Sequence, residues 1–307
     1  MGILRKNGNI SGKVGNIVHR VWGNETIVQG MPRKFKQTFS SIECSAEFGL
    51  ASSTAARLRE IFSAAFQYRD GKMVNRLNKK VLEALRASPE KGRGDRDLHD
   101  ASLEPLLGFQ FNNNSPLNEV LNVRPTSSFS EGKLRVSIPS FDAYKAIKGL
   151  SCLKYRLRLL VMAVDFRNEW SQYIGHQDME VRERGDFPGA EISFDDIPEG
   201  TILMASLSLH ALNQNSLGEI QELNSEKWCP AEIILAVHNP VQKPVELSPE
   251  EARFLQDKRM YFVYCGNTIL LKMQKLREMH DSKSPPKQVV NVYSGINTSR
   301  EKRPFSK

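Results

Sequence analysis

Between residues 11 and 30 apolar and polar positions alternate with the period of a β-strand. The chain reverses at Gly23-Asn24, a pair that admits the positive φ of a two-residue hairpin turn. Pairing across that turn puts Ile17, Val21, Thr26 and Val28 on one face. Val18, Arg20, Trp22, Glu25 and Ile27 fall on the other. Both faces are partly apolar, and an isolated two-stranded hairpin is marginal in water. At least one face therefore needs a packing partner.

The period then changes to that of a helix. Pro32 ends the second strand, and Ser40-Ser41-Ile42-Glu43 has the spacing of a capping box. Ile42, Leu50, Thr54, Leu58, Ile61 and Phe62 recur at helical intervals, which predicts a helix over 42–67 with Gly49 as a candidate break. Asp70-Gly71 interrupts the pattern. Val74, Leu77, Val81 and Leu85 mark a second amphipathic helix that Ser88-Pro89 stops, so the two form a helical hairpin. Residues 90–97 are rich in glycine and charge and read as an exposed linker. A short helix over 98–107 and a turn cluster at Asn112–Pro116 follow.

From about residue 118 strands dominate. Leu134, Val136 and Ile138 alternate with Lys133, Arg135 and Ser137. Residues 155–166 begin alternating and become continuously apolar, as a central strand does. Over 201–212, Leu203, Ala205, Leu207, Leu209 and Ala211 face one way, and Ser206, Ser208 and His210 the other. Further strands are predicted at 232–237 and 259–265. A second Gly-Asn turn at 266–267 leads into another at 269–273. Ser248-Pro249-Glu250-Glu251 has the composition of a helix start. The predicted fold is α+β, with a β-hairpin and helical hairpin followed by an antiparallel β-sandwich, immunoglobulin-like by analogy. The expected parts are a basic hairpin arm at 1–38, a helical region at 39–116, the sandwich at 117–273 and a basic flexible tail at 274–307.

Charge sharpens this picture. The 307-residue chain has a net charge of +8, distributed unevenly. Residues 1–96 hold 18 Lys/Arg and 8 Asp/Glu, whereas 97–273 hold 17 and 24. A basic leading region and an acidic body suggest that one meets the other, or that the basic part meets nucleic acid. Four cysteines without a C-x-x-C pair argue against a zinc site or a disulfide scaffold. No apolar run is long enough for a spanning helix. No apolar stretch follows Arg5-Lys6, so the expectation is a cytoplasmic protein, or one released without a signal peptide.

Catalytic signatures are missing. Gly8-x-x-x-Gly12-Lys13-Val14 falls one residue short of a phosphate loop, and a valine stands where that loop carries Ser or Thr. Arg93-Gly94-Asp95 reads as solvated linker. The histidines form no H-x-x-x-H pair, and no G-x-S-x-G occurs. No cofactor and no metal is expected. Cations concentrate on the two helices, with Arg69, Arg76, Lys79 and Lys80 as candidates for nucleic-acid contact over 57–86. Trp170 and Tyr173 are stacking candidates for a carbohydrate-binding sandwich.

Gly8, Ser11-Gly12-Lys13, Gly15 and Val18, then Trp22-Gly23, Ile27-Val28 and Pro32-x-Lys34, form a pattern that resembles the opening of a large uncharacterised protein family of Bacteroidetes. In that family the hairpin is followed by a basic helical stretch and a long strand-rich region, the order seen here. The resemblance implies no activity. The expectation is a non-enzymatic interaction or assembly protein that associates with itself or another protein by strand pairing of its hairpin. Lys13, Ile17, Val18, Trp22, Ile27 and Val28 are its candidate contact residues.

Overall fold

The computed structural model describes residues 2–6, 8, 10–22, 25–31, 37–88, 90–241 and 256–282. The chain is mixed α+β and divides into two compact units, Met1–Ile42 and Glu43–Lys307. The first unit is larger than a hairpin. It is a four-stranded antiparallel meander of β1 (Gly2–Leu4), β2 (Ile10–Val14), β3 (Ile17–Trp22) and β4 (Glu25–Gly30). The predicted register holds: Trp22 stands opposite Glu25, Val21 opposite Thr26 and Arg20 opposite Ile27. The Gly23-Asn24 turn itself lies outside the described residues. Between β2 and β3 the link is Gly15-Asn16, where Gly15 has φ of +58°. A Cβ is disfavoured in that conformation, so glycine permits the tight reversal.

The second unit is built around one large sheet. Its helices are α1 (Phe39–Ile61, whose first residues precede the unit boundary), α2 (Met73–Arg86), α3 (Leu117–Val120), α4 (Ala143–Ala146) and α5 (Cys265–Asp281). Its first strands are β5 (Thr126–Ser130), β6 (Lys133–Ile138), β7 (Phe141–Asp142), β8 (Lys154–Asp165), β9 (Trp170–Arg182) and β10 (Asp186–Phe187). The remainder are β11 (Ala190–Phe194), β12 (Thr201–Gln214), β13 (Ile220–Glu222), β14 (Ala231–Asn239) and β15 (Arg259–Tyr261). The large sheet has the order β13-β12-β8-β9-β15, with β14 also paired to β12, and it curls into a half-barrel. β11-β6-β5 form a small separate sheet.

Side-chain parity decides what covers each face. Leu160, Met162 and Val164 of β8, with Ile202 and Met204 of β12, pack against α1, α2 and the rings of Phe62, Phe66, Phe109 and Phe111. The opposite parity, Leu157, Leu159, Val161, Leu203, Ala205, Leu207 and Leu209, packs against Leu134, Val136 and Ile138 of β6. Each of these Leu, Ile, Val and Met side chains contributes about 1.5–3 kcal/mol of burial, and Ala205 less. A sheet with helices on one face and a small sheet on the other does not establish the immunoglobulin-like arrangement.

Several local expectations change. Thr38, not Ser40, caps α1: its Oγ1 accepts the Ser41 N–H at 3.3 Å, and the helix runs unbroken through Gly49. The predicted strand at 269–273 is helical. Leu270 and Met273 recur at helical spacing and face the core, while Leu271 is exposed. The Gly266-Asn267 pair opens α5 instead of turning a hairpin. A Cβ on Gly266 would lie 2.2 Å from the Tyr264 ring, so glycine lets that ring fold back to place its hydroxyl 2.6 Å from Thr54 Oγ1. Asn267 Nδ2 then donates to the carbonyls of Phe166 and Arg167, both at 3.1 Å. The 90–97 linker is held in place: Arg96 Nη1 donates at 3.0 Å to Glu47, and Arg277 pairs with Asp95 of the Arg-Gly-Asp tripeptide. The tail expected at 274–307 is helical at first, as α5 continues to Asp281. Its residues beyond 282 lie outside the described residues, as does the helix start read at Ser248–Glu251.

Candidate interaction surface

The added strands change what the N-terminal sheet presents. Gly2 pairs with Gly12 and Leu4 with Ile10; Gly12 then meets His19, and Val14 meets Ile17. Leu4, Ile10, Val14, Ile17, Val21 and Val28 therefore share one face. None of the six is buried; Val28 is 56 % exposed. Only His19 and Thr26 interrupt this face with polar atoms, and it carries no charged side chain. Six apolar side chains on four strands share this face, with Leu4–Ile10 and Val14–Ile17 as direct cross-strand pairs. Exposed apolar patches larger than a few hundred Å² mark interaction sites.

The opposite face differs in chemistry. It carries Lys13, Val18, Arg20, Trp22, Glu25 and Ile27, and Trp22 is 78 % exposed. The six residues expected to act together thus divide between two faces: Ile17 and Val28 on the apolar one, Lys13, Val18, Trp22 and Ile27 on the mixed one. The hairpin parity was readable in the sequence. The contribution of Leu4, Ile10 and Val14 was not. Asn7-Gly8, with Gly8 at φ +80°, is a turn signal between β1 and β2, but β1 is only three residues long and shows too little alternation.

The cations on the helices are largely engaged. Arg76 pairs with Asp70, donates to the Gln110 carbonyl at 2.9 Å and lies 5.1 Å from the Phe109 ring centre. Lys80 Nζ is 3.2 Å from Glu83, and Lys79 Nζ is 3.9 Å from the same side chain. Arg69 lies in the segment before α2, near Arg59, whose pKa falls below its ordinary value through burial and then through the Arg69 charge. Trp170 is 4 % exposed, with the Arg259 guanidinium 4.3 Å from its ring centre, while Tyr173 is exposed and bonded to His176.

Sequence reasoning missed one polar network. Ser208 and His210 sit two residues apart on β12, so both point to the same face. Ser208 Oγ is 2.9 Å from His210 Nε2, and His210 Nδ1 is 2.8 Å from Glu222 on β13. Glu222 also accepts from Arg156 at 3.2 Å. Arg158 donates twice to Asp178 across the β8–β9 pair, both at 2.7 Å. The Ser–His–Glu spacing is that of an activated nucleophile. Ser208 is only 1 % exposed, however, so an acyl donor has no route to its hydroxyl in this arrangement. The network instead ties four strands together. The signal available in the sequence was the polar parity of Ser206, Ser208 and His210 on an otherwise apolar strand.

Two of its carboxylates titrate low. The Arg158 hydrogen bonds hold Asp178 below the ordinary carboxylate range, and the His210 bond does the same for Glu222. A carboxylate whose pKa falls on folding stabilises above its unfolded value and loses that contribution as pH drops through its folded one. The unfolding midpoint should therefore decline below about pH 4. In Asp178→Asn the decline should be smaller when both proteins are followed by circular dichroism; an equal decline would assign the acid sensitivity elsewhere.

Among the described residues no group of His, Cys, Asp and Glu side chains could hold a metal ion, and no helix is long and apolar enough to cross a membrane. No family model, curated protein or solved structure matches the chain.

Proposed function

We propose that this is a non-enzymatic assembly protein whose N-terminal sheet associates with the same sheet of a second copy. The observation that carries the reading is the apolar face of Leu4, Ile10, Val14, Ile17, Val21 and Val28, none of them buried. A sheet with one apolar face buries it by stacking on another sheet at about 10 Å. A two-fold pair requires a surface that complements itself. This face meets that condition because it brings no like charges together. Residues 1–42 carry seven Lys/Arg and only Glu25 as an acid, but the strand cations Lys13 and Arg20 lie on the other face.

Strand pairing is a second reading, favoured by one feature. The outer edge of β4, six residues without proline, is unpaired among the described residues. Pairing there would lengthen the sheet and leave its apolar face open. Light scattering over a range of concentrations tests association itself. The weight-average mass should rise from 34.8 kDa towards twice that value. A mass that stays at the single-chain value throughout would exclude both modes.

A further inference from the structure

We propose that the opposite face of the N-terminal sheet binds single-stranded nucleic acid, with Trp22 stacking on a base and Lys13 and Arg20 contacting phosphates. The register sets the arrangement. Lys13 stands opposite Val18, Arg20 opposite Ile27 and Trp22 opposite Glu25, all on one face. Val18 and Trp22 are about 13 Å apart along β3 at roughly 3.3 Å per residue. The two cations and the indole therefore line a narrow strip that a short extended strand can follow.

Three observations separate this strip from an ordinary solvated face. Trp22 is 78 % exposed, whereas Trp170 and Trp228 are 4 % and 8 % exposed. Lys13 and Arg20 are both exposed, and among the described residues neither has a carboxylate within 4.0 Å, unlike Arg76, Lys79 and Lys80 on α2. The surrounding sequence adds Arg5, Lys6, Arg33, Lys34 and Lys36. Unneutralised cations beside an exposed aromatic ring fit a flexible polyanion whose bases offer π-faces. A duplex keeps its bases stacked inside and presents no ring to Trp22. The face involved is not the one assigned to self-association, so this inference stands without that reading.

The test uses the full chain and an oligodeoxythymidine strand. Because the other two tryptophans are buried, quenching of the indole emission reports on Trp22. We expect saturable quenching whose affinity falls as salt rises. Measured by anisotropy of a labelled strand, Trp22→Ala should weaken binding about ten- to a hundredfold, the worth of one stacked base. Arg20→Ala should weaken it less and reduce the salt dependence. Trp22 is exposed, so its removal leaves the sheet intact, which circular dichroism checks. The proposal is overturned by absence of quenching, by unchanged affinity in Trp22→Ala, or by equal affinity for polyglutamate, which would mark capture of any polyanion.

Discussion

Val28→Asp should reduce the protein to single chains, read as a light-scattering mass of 34.8 kDa at concentrations where the unmodified chain is paired. Val28 lies on the apolar face and is more than half exposed in the single chain, so the variant has room for a carboxylate and keeps its fold. In the pair that carboxylate would sit among Ile, Val and Leu side chains, with only the His19 imidazole opposite it and the Thr26 hydroxyl two residues away as polar neighbours. Burying an unpaired polar group costs on the order of 1–3 kcal/mol, and a charge costs more. A two-fold interface incurs the cost twice. The combined loss corresponds to at least roughly a hundredfold in dissociation constant. The same change at Val18, on the opposite face, should leave the mass as it was.

The second large effect lies in the core of the body. Phe111 is fully buried, with Phe66 stacked at 4.5 Å, Phe109 edge-on at 5.5 Å and Phe62 at 6.0 Å between ring centres. Its N–H also donates to the Ala231 carbonyl at 2.9 Å, which fixes the segment after Phe109 against β14. Phe111→Ala removes the central ring of that group. It should destabilise by about 3–5 kcal/mol, the usual loss for a buried aromatic, visible as a large drop in the guanidinium midpoint. Phe111→Leu keeps most of the volume and should cost much less. If the alanine variant unfolded at the unmodified midpoint, the ring cluster would not be the junction between helices and sheet.

The elements visible in the sequence are those whose partners leave a periodic trace. α2 shows Leu77, Val81 and Leu85 at helical spacing because a single stripe is buried. β12 shows strict alternation because its serines and histidine occupy one parity. β9 was not visible. A bulge opposite Val161 and Met162 shifts its parity midway, and His176, Gln177, Glu180 and Arg182 are polar and exposed. α5 was misread because its short apolar run, preceded by Gly-Asn, fits both periods until Tyr264 is seen folding back over Gly266. The surface was legible in part for the same reason. Alternation assigns each residue of β3 and β4 to a face. The strands that widen that face, β1 and β2, are three and five residues long, too short to show a period of their own between the Asn7-Gly8 and Gly15-Asn16 turns. Likewise, the partners of Arg76 include Gln110, far along the chain, so its charge looked free in the sequence.

The most direct test of the pairing is a histidine footprint. His19 lies on the apolar face between Gly12 of β2 and Val28 of β4, and His176 is an exposed comparator in the body. Carbethoxylation by diethyl pyrocarbonate, read by mass spectrometry, should slow at His19 as the protein is concentrated, while His176 reacts at a constant rate. A His19 rate that stays constant while the measured mass doubles would show that the two copies meet elsewhere and would contradict the face-to-face account.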